Sequence, residues 1–181
     1  IPEKPNYSQV TYLDVGQGSS TFMHLPDGSR ILVDGGGGRN SSFNVGERII
    51  APYLWAQRIW RLDQAIITHP HSDHFNGMDF VLKHFRPKKL YINGDQRSEG
   101  NYKQILTQAK RQGLKITVPV AGQDIVLGKD YKFVIKGMNG LPTGKNAPVN
   151  DKSLVLKYTH HQRSFLFPAD ISIKSEGILV S

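Results

Sequence analysis

Residues 68–77 read Thr-His-Pro-His-Ser-Asp-His-Phe-Asn-Gly, and three of the chain's 7 histidines fall between His69 and His74. Imidazole nitrogen and carboxylate oxygen together suit zinc, iron or manganese. In an extended segment His69 and His71 point the same way, because side chains alternate, so they can grip one ion. Pro70 between them fixes the backbone and limits its slack. Asp73 and His74 follow where the chain turns into a helix, and point to a second ion nearby. A lone His-x-His is better read as exposed histidines in a polar loop. Here the paired histidines, the adjoining Asp-His and the placement after an apolar run agree on metal.

These side chains must be held by the elements that flank them. Gln64 to Thr68 reads as a strand. Gly77 to Phe85 reads as a helix, with Met78, Val81, Leu82 and Phe85 at helical spacing. The histidines therefore lie on a loop at a strand's C-terminal end, where α/β proteins place chemistry. Further β-branched runs bounded by turn residues predict strands over 9–15, 19–25, 30–33, 89–93, 115–118, 131–136, 153–158 and 164–167. Pro26 to Ser29 predicts a hairpin turn between the second and third strands, and His160 to Arg163 turns the last pair. Helices are predicted over Glu47 to Arg61 and Asn101 to Gln112, and a loop over Gly137 to Val149. Strands early, strand and helix in turn, then strands again predict α/β architecture, a sheet covered by helices. A length of 181 residues suits one domain, 1–181.

His69-x-His71-x-Asp73-His74 resembles the metal motif of the metallo-β-lactamase superfamily. "LDVGQGSS" (13–20), "ILVDGG" (31–36), "VGERIIAPYLWAQRI" (45–59), "NDKSLVLKY" (150–158) and "FLFPADI" (165–171) resemble, in order, the C-terminal domain of the ComEC family of bacterial DNA-uptake proteins. The resemblance implies a four-layer αββα sandwich. It implies two divalent transition-metal ions (zinc, manganese or iron), with His69 and His71 on one and Asp73 and His74 on the other. Asp170, in "PADI" where the family usually has Gly-Asp, becomes the bridging carboxylate, so Asp73 and Asp170 are the catalytic candidates. Asp34 becomes the acid that braces the metal loop, and Asp14 part of a first loop facing the site. Asn150 lies about where many members place a third histidine; asparagine is a weak metal ligand, which favours a turn-forming role. The family pattern continues past Asp170 to a His-His-Gly-Ser motif, whereas this chain stops at Ser181. The expectation is a domain truncated at its C-terminus, with an incomplete second metal site. His160 and His161 precede Asp170 and read as surface residues of a hairpin turn.

Composition limits the remaining classes. There is no cysteine, which excludes disulfides, a thiolate nucleophile and Cys-ligated zinc. No run approaches the ~18 apolar residues of a membrane span, and the N-terminus lacks a signal-peptide core. A start at Ile1 predicts a piece of a longer protein. The 23 Lys and Arg against 15 Asp and Glu give a net charge of +8, a field that attracts nucleic acid or an anionic membrane. The leading expectation is a metal-dependent hydrolase, a phosphodiesterase acting on incoming single-stranded DNA. Arg58, Arg61 and Lys152 are the candidates to hold its backbone. The alternatives are a hydrolase of another phosphoester or acyl substrate, and a non-catalytic DNA-guiding module with a vestigial site. The resemblance also implies the soluble domain of a bacterial inner-membrane protein, which reaches the membrane through a transmembrane part outside this chain.

Overall fold

The computed structural model describes residues 4–38, 42–95, 97, 100–120, 122–127, 131–136 and 146–180. Strands β1 (Gln9–Tyr12), β2 (Thr21–His24), β3 (Arg30–Val33), β4 (Gln64–Ile67), β5 (Lys89–Ile92) and β6 (Lys115–Thr117) form one sheet in that order. β1 to β3 are antiparallel and β3 to β6 parallel. Each parallel connection carries helix. A π-helical turn, Gly46–Ile50, runs into α1 (Ala51–Ala56) before β4. Helices α2 (Ser72–Phe75) and α3 (Met78–Phe85) lie between β4 and β5, and α4 (Tyr102–Arg111) lies between β5 and β6. The second sheet is antiparallel, in the order β10 (Arg163–Phe167), β9 (Leu156–His160), β8 (Lys132–Ile135), β7 (Asp124–Val126). A 3₁₀ turn, Asn150–Lys152, precedes β9, and α5 (Ile173–Val180) follows β10.

Alternation along the strands sorts the core into two layers. Phe22, Leu32, Ala65, Ile67 and Leu90 face the helices, against Leu54, Phe75, Val81, Phe85 and Ile105. Met23, Ile31, Val33, Ile66 and Tyr91 face the second sheet, against Ile125, Phe133, Leu156, Tyr158 and Phe167. The layers are thus helix, sheet, sheet, in line with the α/β expectation and three of the four layers its sandwich form names, and α5 follows the second sheet in the chain.

The helix predicted from Glu47 to Arg61 ends at Ala56. Arg58 adopts a left-handed φ of 57°, and the Ile59 amide reaches back to the Leu54 carbonyl at 2.9 Å. The reversal buries Ile59 and Leu62 and leaves Trp60 63% exposed, so the apolar spacing beyond Ala56 belonged to a turn. β7 was not foreseen from the sequence. The helix α2 was also not foreseen. Of the loop predicted from Gly137 to Val149, 137–145 lie outside the described residues, and 146–149 hold no regular element. Both hairpin turns are present, between β2 and β3 and between β9 and β10.

What matters for chemistry is that β3, β4 and β5 all end on one edge, where three loops meet. Gly77 sits at their junction with an ordinary helical φ of −68°, so its reason is space rather than conformation. A Cβ there would overlap the Gly35 carbonyl oxygen and stand 2.9 Å from the Gly46 nitrogen. Gly77→Ala is expected to cost about 3 kcal/mol, because rigid backbone must move to admit the methyl. Gly113→Ala, with φ +79° and nothing within 4 Å of the added Cβ, is expected to cost only about 1 kcal/mol of left-handed strain. Urea unfolding midpoints of the two variants measure the difference.

Candidate metal centre

Parallel pairing of β3 with β4 sets Val33 beside Ile66, which brings the next residue, Asp34, alongside the end of β4. The Asp34 amide donates to the Ile66 carbonyl at 2.9 Å. Asp34 holds φ at 59°, strained for a residue with a Cβ, and its side chain is buried. Its carboxylate accepts three hydrogen bonds. Oδ1 takes the Thr68 amide at 2.8 Å, and Oδ2 takes the Thr68 hydroxyl at 2.8 Å and His74 Nδ1 at 2.7 Å.

That arrangement assigns the proton positions on two imidazoles. His74 Nδ1 must carry hydrogen to meet a carboxylate, which turns Nε2 toward Asp170, whose Oδ1 lies 3.3 Å away. The Thr68 hydroxyl, having given its proton to Asp34, can only accept from its neighbour. His69 Nδ1 lies 3.1 Å from it and donates. His69 Nε2 is then a bare lone pair, buried and without a hydrogen-bond partner. A buried acceptor left unpaired is costly unless something else meets it. The ligand atoms of His69, His74 and Asp170 all lie within 4.8 Å of one another, a donor set suited to a divalent transition ion. The orphaned nitrogen is the observation that this group fits.

Electrostatics agree with a site built for a cation. Burial opposes charge on His74, but hydrogen bonds to Asp170 and Asp34 outweigh it and lift the imidazole to about 10. Burial, then repulsion from His74, holds His69 well below an ordinary histidine. The hydrogen bond to His74 keeps the Asp170 carboxyl below the usual carboxylate range.

The other sequence-chosen residues fall in different places. The His71 ring stands 4.8 Å from that of His69, centroid to centroid, next to the cluster but outside it. Asp73 is half-buried, and its carbonyl accepts the Ser19 amide at 3.1 Å. Gly18 beside it, at φ 107°, has no room for a Cβ, which would overlap that same carbonyl. The loop after β1 is thus clamped onto the metal motif. Asp14, in that loop, is exposed and accepts the amide of Gly16 at 3.2 Å rather than reaching the cluster. Asn150 opens the 3₁₀ turn, as a turn role requires, but its Oδ1 is buried and unpartnered. His161 is in the hairpin turn at φ 53°, and His160 Nδ1 bonds Ser8 at 2.9 Å.

Arg58 and Arg61 lie away from the cluster. They precede β4, whose opposite end carries His69, so they lie a strand's length from the cluster. Of the three cations chosen from sequence, Lys152 alone is at the right end: its carbonyl accepts from Asn93, and its ammonium lies 3.6 Å from Asp95. Asp95 was missed by sequence reasoning, as was Asp151, a buried carboxylate that accepts the Ser172 amide at 2.8 Å. Asp151 thereby ties the Asn150 turn to the loop carrying Asp170. Thr68 was missed too, although its place directly before His69 was a usable signal.

The metallo-beta-lactamase superfamily model matches residues 13–181. ComE operon protein 3 of Bacillus subtilis (strain 168) is 31% identical over 180 residues, covering 93% of this chain and 23% of that protein. The chain therefore spans about a quarter of that relative's length. A metallo-beta-lactamase from Staphylococcus aureus subsp. aureus COL superposes with a TM-score of 0.56 at 15% identity, covering 91% of this chain and 44% of its own. CmlA, a diiron beta-hydroxylase from Streptomyces venezuelae, gives 0.56 at 18%, covering 92% and 30%. At those identities the structural likeness speaks to fold alone.

Two outcomes follow from the Asp34 network. The proton on His74 Nε2 must leave when a cation takes its place. Because the metal-free pKa lies near 10, uptake at neutral pH is expected to release one proton from this residue, with apparent affinity rising about tenfold per pH unit between 7 and 9. Calorimetric titration with manganese in buffers of different ionisation heat reads that proton. Asp34→Asn keeps the shape but turns an amide NH₂ toward Thr68 or His74. Metal affinity is expected to fall about 10- to 100-fold in the same titration.

Proposed function

The chain belongs to the metallo-β-lactamase superfamily, and from that premise we propose that it is a metal-dependent phosphodiesterase that cuts incoming DNA during bacterial DNA uptake. The bare, buried Nε2 of His69, facing His74 and Asp170, carries the metal-dependent part of this reading. The likeness to ComE operon protein 3 and the ComEC-like motifs support DNA as the substrate. The +8 net charge suits a polyanion.

His69, His74 and Asp170, with His71 and Asp73 from the same loop, are the residues that would hold two divalent ions, manganese, zinc or iron. When bound, such ions supply the Lewis acidity that neutralises charge on a phosphate undergoing displacement. Thr68 and Asp34 keep both imidazoles in the tautomer that presents Nε2. Asp151 holds the loop of Asp170 through Ser172. Lys152 offers a contact to a neighbouring phosphate. Contacts of that kind position a strand without reading its bases, so cleavage should not depend on sequence. The same likeness supports reading the chain as the soluble domain of a bacterial inner-membrane protein. No helix among the described residues is long and apolar enough to cross a membrane.

The test uses labelled single-stranded DNA with the manganese-loaded protein. Cleavage is expected, abolished by chelator and lowered about a hundredfold or more by Asp170→Ala or Asp73→Ala, because charge on the leaving oxygen is then unbalanced. Tight DNA binding by metal-loaded protein without cleavage would instead favour a guiding role. Turnover of nitrocefin in place of DNA would move the substrate to acyl chemistry.

A further inference from the structure

A group of cations lies at one end of the first sheet. Strands β3 to β6 start there, and α1, α3 and α4, running the opposite way, finish there. Arg58 and Arg61 lie in the exposed turn before β4, and Lys88 and Lys89 lead into β5. Lys83 is in the last turn of α3, and Arg86 ends that helix with a φ of 40°. Asp63, between them, is already engaged by Lys88 Nζ at 2.8 Å and the Arg30 amide at 3.0 Å. Helix ends carry partial negative charge and account for a basic residue such as Lys83. They do not account for Arg61, which follows a turn, or Lys89, which opens a strand.

The same end carries both tryptophans of the chain. Trp60 is 63% exposed and Trp55 38% exposed, with ring centroids 6.3 Å apart. Trp55 is seated from below by Phe85, stacked at 5.9 Å, so the pair is propped outward on the helical core. Beside α3 a recess of about 570 Å³ is lined by Lys83, Arg86, Pro87 and Lys88. Exposed indoles within a field of cations suit the boundary between lipid headgroups and acyl chains, where an apolar ring with one polar N–H is at home.

We propose that this basic, tryptophan-bearing end is a docking surface for an anionic lipid bilayer, which holds the metal centre on the side facing away from the lipid. The cations draw the domain to acidic headgroups, the recess takes a headgroup phosphate, and Trp60 enters the interface. A nucleic acid lying here would be roughly 13 Å from the cluster, the length of a four-residue strand. It would therefore not be the segment presented for cutting. The inference does not rest on the nuclease reading.

Because Trp55 and Trp60 are the chain's 2 tryptophans, intrinsic emission reports on this end directly. Vesicles of phosphatidylglycerol with phosphatidylcholine are expected to shift the emission of the 181-residue protein to the blue and to co-sediment with it. Pure phosphatidylcholine vesicles should do neither, and salt that shortens the screening length should release the protein. Arg61→Glu with Lys89→Glu is expected to weaken partition about tenfold or more. Trp60→Ala is expected to remove most of the blue shift. Wild-type protein that ignores acidic vesicles overturns the proposal without reference to any variant. So does a charge-reversed variant that keeps its vesicle binding but loses single-stranded DNA, since the surface would then serve nucleic acid.

Discussion

One buried carboxylate organises the site. Asp34 is held at a left-handed φ and accepts two bonds from Thr68 and one from His74. A carboxylate removed from water persists only if its oxygens are matched by donors. Asp34 has three, two of them fixed by the end of β4. The cost of burying that charge thus enforces an order on everything it touches: the Thr68 hydroxyl must point at Asp34, His69 must donate to Thr68, and both Nε2 atoms must face inward. The tautomers follow from hydrogen bonding alone, before any ion enters.

Holding that geometry requires three loops to approach more closely than side chains permit. Ser19 donates to the Asp73 carbonyl, Gly36 to Ser19, Gly35 to His74 and Gly77 to Gly36. The metal motif is therefore fastened by backbone from the loops after β1 and β3, not by its own short helix. An arrangement made of backbone bonds is insensitive to the flexibility of long side chains, which suits ligands that must hold their places to within fractions of an ångström. It also explains why the glycines cluster here. They are the space through which the carbonyls reach their partners.

Local signals made the frame legible. Nine of the ten strands among the described residues were readable as runs of β-branched or apolar residues between turn formers, β7 being the exception, and so was the hairpin at Pro26. The metal loop was readable because His, Asp and Pro types are rarely combined at that spacing. What sequence hid was whatever depended on distant pairing. Nothing local marks Asp151 as the partner of Ser172, and Asp95, whose partner Arg97 is two residues away, meets Lys152 only through the fold. The end of α1 was hidden for another reason. Ile59 and Trp60 are both apolar, so helical spacing persisted on paper past the residue, Arg58, where the backbone reverses. Arg58 and Arg61 were chosen for charge without direction, and a strand's direction decides which end of a sheet a residue occupies.

Charge is thereby divided along the strand axis, and the division bears on the order of binding. Asp34, Asp73, Asp95, Asp151 and Asp170 all lie at or beyond the strand ends that carry the histidines. Without a cation, the imidazolium of His74, Arg97 and Lys152 offset part of this negative charge, and any approaching anion would meet the remainder. Divalent ions bound there would reverse the sign of that end and displace the proton from His74. A bound anion and a bound cation would then be coupled through charge, each raising affinity for the other by the same factor. The basic end cannot supply this service, since a Debye length of about 8 Å at physiological ionic strength leaves little of its field at the cluster. An anion entering the site would have to be admitted by what the site itself holds, so that the histidines and carboxylates of this edge would govern admission as well as chemistry.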